Sequence, residues 1–172
     1  KLFAHEWAGV TPDVMAIAKG IGGGFPLGAI LTTSAVGACM QPGSHGSTYG
    51  GNPLAMAVGL EIMEVVCAPG FLDDVNDMAG YLRQQLSARI DKYPEIFTEL
   101  RGVGLMVGLK CACENTRLVA ALRAEKLLSM PAGDNTVRLL PPLNSAQDDM
   151  RAALDAIDRA CARLHADIVG DT

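Results

Sequence analysis

An α/β protein in two parts is what the 172-residue sequence predicts, and three observations predict it. Short apolar runs of strand character alternate with longer stretches whose apolar residues recur at spacings of three and four. Glycine is abundant, at 19 residues, and concentrated between Gly20 and Gly51 instead of being spread as turn punctuation. At Ala68-Pro69-Gly70 the composition changes, dividing a glycine-rich first part, residues 1–67, from a more regular second part, residues 68–172. An apolar fraction of 49% beside 19% charged residues supports a buried core and excludes wholesale disorder. By length alone the chain fits one ordinary domain.

The elements follow in order. Val14-Met15-Ala16-Ile17-Ala18 is a short apolar run that predicts a buried strand, and it stops at Lys19-Gly20. A glycine loop over residues 20–26 leads into a second strand, residues 27–33, after which Ser34 is placed to cap a brief helix through Cys39. Residues 41–51 contain almost nothing apolar and predict an exposed or ligand-facing loop. Asn52-Pro53 supplies an N-cap and a first-turn proline for a helix towards Val66, whose apolar residues fall on all sides and predict a largely buried helix. Leu72, Val75, Met78, Ala79, Leu82, Leu86 and Ile90 then outline an amphipathic helix. Strands are expected at 97–100 and 105–111, a helix at 118–126, and a strand at 137–140 before Pro141-Pro142. A final helix carries the stripe Met150, Leu154, Ile157, Cys161 and Leu164, and Ser145-x-x-Asp148 resembles a capping box at its start.

Fourteen Lys and Arg against nineteen Asp and Glu leave a net charge of −5, so there is no general attraction to nucleic acid or to an anionic membrane. No apolar run approaches the ~20 residues of a membrane span, and a soluble protein is expected. Five cysteines without a Cys-x-x-Cys pair point to a reducing, cytoplasmic setting with thiols as small buried hydrophobes. Cys111-Ala-Cys113 would set two thiols on one strand face, but no His or Cys partner is near, so no metal site is expected. The chain begins Lys-Leu-Phe with neither Met nor a leader-like segment, which predicts an internal start.

Lys19 is the first residue with chemical promise. An ammonium at the end of an apolar run is costly to desolvate, and burial would favour the neutral amine that attacks carbonyls; the alternative is a strand simply leaving for solvent. The glycines after it allow backbone or a planar ligand to approach closely. Gly43-Ser44-His45-Gly46-Ser47-Thr48-Tyr49-Gly50-Gly51-Asn52-Pro53 brings hydroxyls and backbone N–H groups to a helix N-terminus, a setting that suits phosphate, or else an ordinary capped connector. It is neither a Walker A loop nor a dinucleotide fingerprint. His45 reads as a solvated loop residue, and Glu61 and Glu64 as an exposed helix face. Arg138, inside an apolar strand run, suits either a substrate carboxylate or a structural one.

Taken with Leu2-Phe3-Ala4-His5-Glu6-Trp7, Thr11-Pro12-Asp13, Ala18-Lys19-Gly20, Arg101-Gly102-Val103-Gly104-Leu105-Met106 and Val137-Arg138-Leu139-Leu140-Pro141-Pro142-Leu143, these blocks resemble the class III pyridoxal-phosphate aminotransferases in family order. The resemblance implies fold type I, with residues 1–67 closing the large cofactor-binding domain and residues 68–172 forming the small C-terminal α/β domain. It implies pyridoxal 5'-phosphate as cofactor, Lys19 as the lysine that bonds its aldehyde and later carries the substrate's proton, and Thr48 as a phosphate ligand across a homodimer interface. Ser47 matches a substrate-contacting position. Arg138 matches an arginine that binds the substrate carboxylate or pairs with a glutamate. The motif wording favours N-acetylornithine as amino donor and 2-oxoglutarate as acceptor, with ornithine, succinylornithine or 4-aminobutyrate as alternative donors. The resemblance further implies that a phosphate loop, a stacking aromatic, an aspartate for the pyridine nitrogen and a substrate arginine would lie upstream of Lys1. A non-catalytic phosphate-binding or interaction remnant is the alternative of another class.

Overall fold

The computed structural model describes residues 1–170. Its first element is a short helix, Ala4–Ala8 (α1), ended by Gly9 in the left-handed region. Val14–Ala18 (β1) pairs antiparallel with Gly28–Thr32 (β2), Val14 opposite Thr32 and Ala18 opposite Gly28. Between them Lys19–Gly22 forms a single 3-10 turn. The buried strand expected at Val14–Ala18 is instead alternately exposed and half-buried, because β2 is its only partner among the described residues. Ser34–Gly37 (α2) is capped by Thr33, not Ser34, and without a side-chain bond.

Asn52 caps the long helix Pro53–Val66 (α3) as the sequence predicts, its Oδ1 accepting from the Ala55 N–H at 2.9 Å. That helix is not largely buried. Only Ala55 and Gly59 are buried, while Leu54 and Leu60 face outward, because a single layer packs against one stripe of it. Residues Lys1–Leu72 make one compact unit and Asp73–Thr172 a second.

The second unit is an antiparallel four-stranded sheet with helices. Phe71–Lys92 (α4) leads to Phe97–Val103 (β3) and Met106–Cys111 (β4), then to Asn115–Ala124 (α5), Met130–Ala132 (β5), Thr136–Leu139 (β6) and Gln147–Gly170 (α6). Strand order is β3-β4-β6-β5. Period-two alternation in β4 buries Val107, Leu109 and Cys111 and turns Met106, Gly108 and Lys110 to the other face. The helical stripe read from the sequence is the buried one: Val75, Ala79, Leu82 and Leu86 from α4, and Met150, Leu154, Ile157, Cys161 and Leu164 from α6. Leu118 and Leu122 of α5 and Ile96 are fully enclosed, and burying such side chains contributes about 1.5–3 kcal/mol each. The short strand β5 went unread because Pro131 and Ser129 dilute its apolar signal.

Side chains lock the elements. Arg89 of α4 donates to Asp158 of α6 at 2.6 Å and to the Gln85 carbonyl at 2.8 Å. Glu125, itself nearly buried, pairs with Arg159 and Arg163 of α6. The expected box at the head of α6 does not form: the Ser145 hydroxyl donates to the Pro142 carbonyl, and Asp149 accepts from the Ala146 N–H at 2.9 Å. Asp148 turns to Arg151 instead. Cys113 lies beyond the end of β4, so Cys111 and Cys113 do not share a strand face.

Candidate active site

Lys19 sits where β1 stops, and its backbone is left-handed, with φ of 61°. That conformation is costly for a residue with a Cβ and is held by the surrounding structure. Two hydrogen bonds fix the turn behind it: the Gly23 N–H donates to Gly20 at 3.1 Å, and the Phe25 N–H to Gly22 at 2.8 Å. Lys19 is exposed in place of the partly buried amine expected. It opens onto a cavity of about 650 Å³ whose walls are Ala18, Gly20, Gly23, Gly24 and the segment from Phe25 to Leu27. No acid or second base lines it. Among the described residues, the amine therefore faces glycine-rich backbone and no other ionisable group in this cavity.

Helix α3 forms the back of this turn. Gly22 is buried against Leu27, and Gly59 of α3 is buried against the same leucine. The loop that precedes α3 is exposed throughout residues 41–51. Within it the Ser47 hydroxyl accepts from the Gly50 N–H at 2.9 Å, and the Asn52 amide donates to the Tyr49 carbonyl at 2.8 Å. Thr48 is exposed, with no hydrogen-bond partner among the described residues. Neither Ser47 nor Thr48 lines the Lys19 cavity. Both hydroxyls can still donate to an anion.

The first unit also carries a long uncharged stretch. Between Lys19 and Glu61 there is no Asp, Glu, Lys or Arg. The whole glycine loop, β2, α2 and the Ser47-Thr48 segment are formally neutral, His45 aside. All the ion pairs given above, by contrast, lie in the second unit.

Arg138 belongs to that second unit. It stands on β6, exposed, opposite Gly108 of β4 and Met130 of β5. Two places along the neighbouring strand from Gly108, Lys110 pairs with Asp134, and Arg101 on β3 pairs with both Glu99 and Asp134. Asp134 is held below the usual carboxylate range by its bonds from Arg101 and then Lys110. Those carboxylates are taken. The Arg138 guanidinium has no ion-pair partner among the described residues, and so stays available to an anion.

Comparison with known proteins decides the family. Residues 1–161 match the family model described as "Aminotransferase class-III". The chain belongs to the class-III aminotransferases. It is 55% identical over 164 residues to the acetylornithine aminotransferase of Brucella melitensis, covering 95% of this chain and 41% of that protein. The acetylornithine aminotransferase of Rhodobacter capsulatus is 56% identical over 164 residues, with 95% and 42% covered. This aminotransferase chain thus spans about two fifths of the length of the curated relatives it matches.

Solved structures agree on the fold. The acetylornithine aminotransferase of Elizabethkingia anophelis superposes with a TM-score of 0.85 at 29% identity, over 95% of this chain and 44% of that one. An ornithine aminotransferase of Toxoplasma gondii, described with partial occupancy of PLP at its active site, gives 0.88 at 29%, over 97% and 40%. The α/β architecture read from the sequence is that of these aminotransferases.

Proposed function

We propose that this chain is the lysine-bearing C-terminal portion of a pyridoxal-phosphate aminotransferase that moves the δ-amino group of N-acetylornithine to 2-oxoglutarate, in arginine biosynthesis. The observation that carries the reading is Lys19, an amine with no ion-pair partner among the described residues, on a strained backbone at the mouth of a glycine-walled cavity. The naming of the relatives as acetylornithine aminotransferases supports the donor.

The residues present fit an aldehyde-bearing planar cofactor. The Lys19 amine would hold such a cofactor by its aldehyde, the glycines beside it leave room for a planar ring, the Thr48 hydroxyl would donate to its phosphate and the Ser47 hydroxyl to the substrate. Once bound, the cofactor supplies the electron sink that makes the substrate carbon acidic. Lys19 would act as the base that takes the proton from the amine-bearing carbon of the substrate and returns it two atoms along, at the carbon that was the cofactor's aldehyde. Arg138 receives a substrate carboxylate, since its strand neighbours' acids are already paired. Thr48 lies outside the Lys19 cavity of its own chain, which supports its serving a second copy in a homodimer. In this reading residues 1–67 close the large cofactor-binding domain, residues 68–172 are the small domain, and the enzyme works in the cytoplasm.

Borohydride reduction of the chain with added pyridoxal phosphate tests this. The expected product is a secondary amine mapped to the Lys19 peptide and absent from Lys19→Ala. No adduct, or one mapped to Lys92, Lys110 or Lys126, sinks the assignment and favours a non-catalytic, phosphate-binding remnant.

A further inference from the structure

The head and the middle of α3 are each fastened to a different loop. At its head, the Asn52 amide donates to the carbonyl of Tyr49, the residue after Thr48, and its oxygen caps the helix at the Ala55 N–H. One and two turns further on, the same face reaches the Lys19 turn: Ala55 and Gly59 are buried and Ile62 is half-buried, at spacings of four and three. At Gly59 an added Cβ would lie 2.8 Å from Leu27 Cδ2, so the leucine occupies the space a side chain would take. At Gly23, which has φ of 54°, an added Cβ would collide with the Ile62 side chain. Leu27 in turn closes on buried Gly22, the last residue of the turn that Lys19 begins.

We infer that Gly59 and Ile62 are positioning residues, which through Leu27 and Gly23 hold the Lys19 turn at a fixed distance from the capped loop at the head of the same helix. The inference deepens the aminotransferase reading and rests on it for the purpose of that spacing, though not for its existence. A helix is stiff over this length, at about 1.5 Å per residue, so the two loops move with it as one body. Gly59 is otherwise a poor helix residue, and valine there does not weaken the helix itself. Its effect reports the contact with Leu27.

The test compares wild type, Gly59→Val, Gly59→Val with Leu27→Ala, Ile62→Ala, and Gly80→Val as a control at a helix glycine with open space around it. Two readouts are taken on the full chain: the share of borohydride-trapped pyridoxal phosphate at Lys19 against the other lysines, and hydrogen exchange at the Gly23 and Phe25 amides. Gly59→Val is expected to cut the Lys19 share about tenfold and to speed both amides by about tenfold. Leu27→Ala restores both, Ile62→Ala moves them the same way by less, and Gly80→Val changes neither. Unchanged exchange and labelling in Gly59→Val and Ile62→Ala would overturn the inference, as would failure of Leu27→Ala to rescue. If wild type itself is not labelled at Lys19, the cofactor reading falls, and the exchange data alone decide the positioning role.

Discussion

Burial sets the reactivity of each thiol. Desolvation pushes Cys111 and Cys161 up to about 12, with the neighbouring Cys113 and Asp158 charges adding to it respectively, so their thiolates are scarce at neutral pH. Cys39 and Cys67 are exposed. Brief iodoacetamide treatment of the folded chain is therefore expected to modify Cys39 and Cys67 at least tenfold faster than the buried pair, and denaturant should erase the difference. Equal rates in the folded chain contradict this placement. Asp134 offers a second residue-scale test. Its lowered pKa means that its pairing stabilises the fold above the ordinary carboxylate range and is lost as pH falls through the folded value. Asp134→Asn keeps a side chain that tolerates the left-handed φ of 52°. The variant should melt below wild type at pH 7, and the gap should close as the pH drops below the ordinary carboxylate range. High salt should also shrink the gap, because the groups are exposed.

Among the elements, the hairpins carry the tightest constraints. Gly102 in β3 has φ of 101°, and a Cβ there would collide with the Met106 carbonyl oxygen across the turn. Gly102→Ala is expected to cost more than about 2 kcal/mol in denaturant unfolding, whereas Gly80→Ala should be neutral or stabilising. At the other hairpin Asn135 accepts from the Asn115 N–H and donates to the Cys111 and Cys113 carbonyls, while Asn115 donates to Ala132 and Thr136. Asn135→Ala leaves those carbonyls unmet and the left-handed backbone unaided, and should cost about 2–4 kcal/mol. Gly133-Asp134-Asn135 are turn-forming residue types, but nothing in their order says that the asparagine ties the start of α5 to the end of β4. Such a bracket joins residues about twenty places apart, and no periodicity encodes it. The helices were legible where burial has one face, as in α4 and α6. The reading of α3 as buried failed because an all-round apolar helix says only that it will be covered, not by what.

Across the whole molecule, the two units differ in how they hold together. The second closes its core with an apolar helical layer and ion pairs to α6 from α4 and from Glu125, just beyond α5. The first leaves Ile30 72% exposed, Leu60 66% and Leu54 62%, with Trp7 at 57%. Large exposed apolar patches mark surfaces that associate. Concentration-dependent self-association is expected by light scattering, and Leu54→Gln with Leu60→Gln should reduce it; a monodisperse monomer at all concentrations would argue otherwise. The candidate site was legible at Lys19, where a lysine ends an apolar run before glycines. It was not legible at Gly59 or Ile62, whose part depends on which residues face them across space.

The neutral stretch between Lys19 and Glu61 also bears on ionic conditions. Dissolved ions weaken attraction between full charges and scarcely touch a short hydrogen bond to a hydroxyl or an amide. An anion gripped by this stretch alone would hold almost as firmly in concentrated buffer as in dilute, its retention written in dipoles rather than in charge.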